Sequence, residues 1–273
     1  MPSIGPHRGT LCRPPPSSST RAVREDWEKS FNARALAQTL GLHGYVTLLI
    51  DGNHGQQSQR AFLKVDHMRG LEDYLERGMD AVIRPGEIHT AFGFLPGPAD
   101  PKAPDIIDMY GRALTDLMRR CAFIVVDCDR IDGTQWENPN TMAGGLMRPL
   151  VESGGARIAF RMGQTGSQTD DGLDALASIN RPDRTLVIGQ AAAGTKPHGD
   201  AEWRGLLRGL AEYAGTDVWD GTGADLIERR QPGYAKGMEP DWLKAEAGWC
   251  GADPARWKNT ERKRGWPWTR RRG

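Results

Sequence analysis

The sequence is poor in the residues that usually announce a metal centre or a nucleophile. Its four cysteines, Cys12, Cys121, Cys128 and Cys250, form no Cys-x-x-Cys pair, which excludes a cysteine zinc site and a dense disulfide framework. They read as unpaired thiols in a reducing compartment. The six histidines, at 7, 43, 54, 67, 89 and 198, show neither HxH nor HExxH spacing, so metal catalysis by histidine is excluded too. His54 reads as a loop residue beside Asp51 without the partner that a general base needs. There is no Gly-x-Ser-x-Gly elbow. No apolar run approaches the roughly 20 residues of a membrane span, and the first residues carry no apolar signal core. These absences predict a cytoplasmic protein with no membrane span.

Hydrophobic residues make up 38% of the chain, low for a compact enzyme, so substantial segments must be solvated. Charge is unevenly spread. Residues 256–273 hold eight Lys/Arg against one Glu, net +7, whereas residues 1–255 hold 28 basic and 34 acidic groups, net −6. Residues 1–22 are set apart as an N-terminal segment, and Pro and Ser between residues 1 and 20 predict disorder. From residue 23 to 220 apolar strands alternate with helical patterns, and residues 221–273 form an extension ending in the basic tail.

Ala33, Leu36, Ala37 and Leu40 follow the i, i+3, i+4, i+7 spacing of a helix, which Gly41 and Gly44 stop. Strands are predicted at Tyr45–Ile50, Ala91–Leu95, Ala122–Asp127, Ala156–Arg161, Thr185–Gly189 and Thr216–Trp219. Helices are predicted at Met68–Arg77, Asp105–Arg120, Asp170–Ile179 and Glu202–Ala214. Uniformly apolar strands alternating with helices predict an α/β fold: a mostly parallel sheet with helices on both faces. Ligands in such folds bind beyond the carboxyl ends of the strands, and LLIDGN and FIVVDCD put Asp51 and Asp127 there. Such carboxylates can hold Mg²⁺, whose other ligands nucleotide phosphates supply, or they can simply cap the turns that follow.

The run ARALAQTLGLHGYVTLLIDGN resembles the helix and strand that follow the phosphate loop in the ParA/MinD family of partitioning and positioning ATPases, a branch of the P-loop NTPases. SQRAFL, GLEDYL, FGFLPGPADP and LMRRCAFIVVD follow in that family's order, over roughly Arg24–Gln190. The resemblance implies a three-layer α/β/α fold, ATP and Mg²⁺ as cofactors, and a nucleotide-dependent homodimer with a possible partner protein. It puts the phosphate-binding lysine at Lys29, the Mg²⁺-binding hydroxyl at Ser30 and the signature second lysine at Arg24. Asp127 becomes the Walker B aspartate and a second Mg²⁺ ligand, and Asp51 a catalytic residue that orders the attacking water. The family's first strand would fall at Ser19–Val23, STRAV, which, preceded by PPPSS, is a poor strand sequence. Three departures stand out. The loop, RAVREDWEKS, has Glu25, Asp26 and Glu28 where the family has glycine, and Gly is what lets backbone N–H groups approach phosphate closely. Asn53 replaces the second Asp of the family's DxD, and Gly189-Gln190 stands near its usual base-contacting Asn. These put hydrolysis in doubt.

The tail interleaves Trp249, Trp257, Trp266 and Trp268 with Arg262, Lys263, Arg264, Arg270, Arg271 and Arg272. Cationic side chains neutralise phosphates and indoles stack on bases, so nonspecific DNA is one expected partner; a solvated tail or an anionic partner are the others. Two further readings stay open: a non-catalytic adaptor or DNA-binding scaffold that keeps the fold without ATP, and an unrelated α/β enzyme whose phosphate loop would be GQAAAGTKP, Gly189–Pro197.

Overall fold

The computed structural model describes residues 30–53, 55–65, 70–128, 131–219 and 222–257 of the chain. Residues Lys29, Arg24 and Ser19–Val23, the six basic tail residues from Arg262 to Arg272, Trp266, Trp268 and His54 lie outside them.

Helix α1 covers residues 30–42 and leads into β1, Thr47–Asp51, all five residues of which are buried. Leu48 and Ile50 point to one side, into a cluster with Leu71, Tyr110 and Leu114. Leu49 points to the other, onto Ala37, Phe92 and Phe94. This two-residue alternation inside an uninterrupted apolar run is what a strand covered on both faces requires. Beyond β1 come α2 (Ser58–Leu63), α3 (Leu71–Arg77), α4 (Pro85–Ile88), β2 (Gly93–Leu95) and α5 (Ile106–Leu117). Helix α5 buries Ile106, Met109, Tyr110, Ala113, Leu114 and Leu117, a stripe at helical spacing. β3, Phe123–Asp127, follows.

The second half holds α6 (Gly133–Glu137), a π-helical turn (Met142–Met147) running into α7 (Arg148–Glu152), β4 (Ile158–Gly163), α8 (Gly166–Ile179) and β5 (Thr185–Ala191). It ends with α9 (Asp200–Leu206), β6 (Glu212–Val218), α10 (Thr222–Glu228) and α11 (Asp241–Trp249). The helix predicted to reach Ala214 stops at Leu206, because Gly209 adopts φ 79° and turns the chain into β6. Sequence reading places β6 too late because EYAGTDV is not apolar throughout.

Among the described residues all strand pairs are parallel, in two three-stranded sheets ordered β2-β1-β3 and β4-β5-β6. β3 and β4, the edge strands that face one another, do not pair. Between them lies a cavity of about 780 Å³. One face of both sheets is bridged by a single apolar cluster, in which Phe31, Leu36 and Leu40 of α1 meet Leu186 and Ile188 of β5 and Trp242, Leu243 and Ala247 of α11. The fold is therefore α/β/α in three layers, with helices on both faces of parallel strands. Among the described residues no helix is long and apolar enough to cross a membrane.

Candidate functional site

β1 and β3 are paired so that Asp51 and Asp127 are Cα partners at their carboxyl ends. The register is closed just beyond by the Gly52 N–H, which donates to the Asp127 carbonyl at 2.8 Å. Gly52 must be glycine there, since a Cβ would sit 2.7 Å from a methyl of Val126 and 2.9 Å from the Asp127 oxygen. Tyr110 of α5 donates its hydroxyl to the Asp51 backbone carbonyl at 2.5 Å. The proline loop after β2 passes close by: a Cβ on Gly97 would lie 3.2 Å from both that carbonyl and the Tyr110 hydroxyl. Arg60 holds the loop by donating to the Gly97 carbonyl at 2.8 Å.

The two carboxylates have different surroundings. Asp51 is fully buried, and neither of its carboxylate oxygens has a hydrogen-bond partner of ordinary geometry among the described residues. Burial raises its pKa to about 8, with the Asp127 charge adding to the rise; backbone N–H groups of Gln59 and Asn53 and the Arg60 charge oppose it. Burial thus favours its protonated form over the carboxylate. Asp127 accepts a hydrogen bond at Oδ2 from Gln59 Nε2 at 2.6 Å.

Gln59 is the joint of the site. Its amide nitrogen also donates to the backbone carbonyl of Ser30 at 2.9 Å, and its Oε1 accepts from Arg34 Nη1 at 2.7 Å. Ser30 in turn shares a 2.7 Å hydroxyl contact with Ser58, the residue before Gln59 on α2. The Arg34 guanidinium is buried and lies 3.5 Å from the ring centre of Phe62. Desolvation pulls its pKa down to about 9 against the opposing pull of Asp127 and Asp51.

Of the residues singled out from sequence, the fold brings Ser30, Asp51 and Asp127 together at one end of the strands. Sequence reading missed Gln59, Arg34 and Tyr110. The spacing of Ser30 and Arg34, i and i+4 on one helix, was the available signal for Arg34. The GQAAAGTKP loop lies elsewhere, beyond β5, where Gln164 donates to the Lys196 carbonyl at 2.9 Å. Two tail tryptophans belong to the fold: Trp249 lies 5.1 Å beneath the Arg157 guanidinium and Trp257 stacks on His43 at 4.4 Å. No cluster of three or more metal-ligating His, Cys, Asp or Glu occurs among the described residues.

The sequence matches no protein-family model, and no curated protein matches it. Solved structures do. MinD cell division protein of Aquifex aeolicus superposes with a TM-score of 0.56 at 16% identity, covering 83% of this chain and 93% of that one. The septum site-determining protein MinD of Pyrococcus horikoshii, complexed with Mg-ADP, gives 0.54 at 15% identity, covering 81% and 87%. A plasmid partition protein of Borrelia burgdorferi bound to AMPPNP gives 0.53 at 15% identity, covering 80% and 90%. The chain therefore has the ParA/MinD-like α/β/α fold of these structures.

Proposed function

We propose that this protein binds ATP with Mg²⁺ at the carboxyl ends of β1 and β3 and uses that binding to position or partition DNA cargo, with little or no hydrolysis. The observation that carries the reading is the in-register pair Asp51 and Asp127, with Ser30 tied to Asp127 through Gln59. The donor chemistry fits a hard cation: two acidic side chains and a hydroxyl, with both buried oxygens of Asp51 lacking a hydrogen-bond partner of ordinary geometry among the described residues. Asp127 and Ser30 would hold Mg²⁺, which when bound would neutralise phosphate charge. Lys29 and Arg24, upstream of α1, would meet the phosphates, and Asp51 would order a water.

Weak hydrolysis follows from the chain's own chemistry. Glu25, Asp26 and Glu28 repel phosphate and deny it close backbone approach. Among the similar structures, the MinD and partition proteins that hold Mg-ADP and AMPPNP support a nucleotide ligand, and the Aquifex aeolicus MinC:MinD complex supports a partner protein.

A non-catalytic scaffold with the same fold is the second reading. It is favoured by the Gln59 amide, which donates to both Asp127 and the Ser30 carbonyl and so supplies a protein partner where a cation would sit. Calorimetric titration of Mg-ATP into the full chain, beside Lys29→Ala and Asp127→Ala, separates the two. Saturable, Mg²⁺-dependent binding that both substitutions abolish supports the nucleotide reading. No binding at millimolar ATP retires it in favour of the scaffold.

A further inference from the structure

Gln59 is fully buried and stands among the residues that a cation would use. Its Nε2 lies 2.6 Å from Asp127 Oδ2 and 2.9 Å from the Ser30 carbonyl oxygen, so it sits between the two. A cation bridging Asp127 and Ser30 must occupy that same gap. The amide N–H and a metal ion compete there for the carboxylate lone pairs that face Ser30, and one position holds only one of them. Nor is the amide free to turn its oxygen toward a metal. Oε1 accepts from Arg34 Nη1 at 2.7 Å, and Arg34 is itself buried. A rotated amide would set its NH₂ group against that guanidinium and forfeit all three hydrogen bonds.

The helix that delivers Gln59 is held in a backbone arrangement that its own sequence does not favour. α2 has six residues, too few for a helix to stand alone. It is flanked by two non-glycine residues in the left-handed region, Gln57 at φ 46° and Lys64 at φ 58°. Residues with a Cβ stay there only when their surroundings enforce it, and such positions gather at segments that switch. Here the enforcement is a set of side-chain hydrogen bonds. Gln57 Nε2 donates to the Pro98 carbonyl at 2.6 Å, Ser58 meets the Ser30 hydroxyl, and Gln59 holds Asp127. At the other end of α2, Arg230 Nη1 donates to the Ala61 and Phe62 carbonyls, each at 3.2 Å. Releasing Gln59 from Asp127 removes a central tie and lets the two strained ends relax.

We infer that Gln59 is an autoinhibitory plug: its amide fills the cation position between Ser30 and Asp127, and a metal ion enters only when α2 withdraws it. The inference rests on the cation site proposed above and adds the regulation of that site. Arg230 follows α10, so the same helix that carries the plug is tied to the C-terminal extension. A pull on the extension that moves α2 outward opens the site, and a metal ion that expels Gln59 loosens α2 in return.

Titration of the full chain with Mn²⁺, followed by loss of the free ion's paramagnetic resonance signal, tests the plug on wild type, Gln59→Ala and Gln59→Glu. Both substitutions remove the N–H donor; glutamate keeps the length and an acceptor for Arg34, so it serves where the alanine variant fails to fold. Each variant is expected to bind Mn²⁺ at least ~10-fold tighter than wild type, a gain that adding Asp127→Asn abolishes. Added charge alone tightens the glutamate variant, so a second readout on the wild-type chain decides. Loading wild type with Mn²⁺ should speed hydrogen exchange of residues 58–63 by at least ~10-fold while β1 and β3 stay protected. Equal affinity in wild type and Gln59→Ala, or unchanged exchange of α2 on loading, overturns the plug; loss of binding in Asp127→Asn then shows that the cation site itself stands. No Mn²⁺ uptake by any of these chains overturns the plug and the cation site together.

Discussion

Asp51 and Asp127 face each other as register partners across β1 and β3, yet their side chains have opposite fates: Asp127 is hydrogen-bonded by Gln59, and Asp51 is buried with no hydrogen-bond partner of ordinary geometry among the described residues. Two like charges at this spacing in a dry site are held apart by protonating one of them. The proton goes to the more buried carboxyl.

Asp51 should make the fold pH-sensitive in an unusual direction. Its folded pKa of about 8 lies above the unfolded value of 3.8, so between those limits the folded chain holds a proton that the unfolded chain has released. Stability contributed by this group is therefore lost as pH rises through that window. Asp51→Asn removes the titration while keeping the shape. The variant should gain on wild type by at least ~2 kcal/mol between pH 5 and pH 8 in urea unfolding. Parallel pH profiles for the two proteins would show that Asp51 is ionised in the fold.

Much of this site could be read from one dimension, and the unread part has a common cause. Asp51 and Asp127 stand at the ends of apolar runs, so local pattern located those two, whereas Ser30 was picked out only by the family resemblance, at its spacing before Leu36. Gln59 and Arg34 are polar residues on helices, and nothing local distinguishes a solvated glutamine from one that ties three elements together; only the packing of α1 and α2 against β3 reveals it. The π-helical turn at Met142–Met147 was equally hidden. It depends on Gly144 and Gly145, where a Cβ would lie 2.2 Å from the Asn138 and Pro139 carbonyls respectively, contacts between segments that sequence periodicity does not register. Strand order is a property of the assembled sheet.

Gly41, near the end of α1, is a case where packing reverses a helix propensity. Alanine normally stabilises a helix over glycine by about 1 kcal/mol. A Cβ at Gly41, however, would lie 2.0 Å from the Ala91 carbonyl oxygen, a backbone atom with little room to yield. Gly41→Ala should destabilise the fold by ~2 kcal/mol or more. Gly248→Ala on α11, where a Cβ meets nothing within 4 Å, should be neutral or stabilising by up to ~1 kcal/mol. Equal melting temperatures for the two variants would mean that α1 does not approach Ala91 this closely.

If the basic tail is the DNA contact, its affinity must be dominated by counterion release. Alanine at Arg262, Lys263, Arg264, Arg270, Arg271 and Arg272 together should weaken duplex binding similarly for unrelated sequences and flatten the log K against log salt slope by up to ~5. Fluorescence anisotropy at several salt concentrations measures both. A slope unchanged in the variant would assign DNA contact to the acidic body or to no surface at all.

Gln59 offers the most direct test of how the site is held together. Gln59→Ala would leave the buried Arg34 without its hydrogen-bond acceptor, and would strip a donor from both Asp127 and the Ser30 carbonyl. Uncompensated buried groups of this kind cost ~2–4 kcal/mol. Arg34→Ala alone removes the cation that sits near both carboxylates, at a comparable cost. Because the two residues belong to one network, the double variant should lose less than the singles combined, with a coupling of at least ~1 kcal/mol in urea unfolding. A coupling near zero would mean that α1 and α2 reach β3 independently, and Gln59 would then be a satisfied core amide with no part in bringing Ser30 to Asp127.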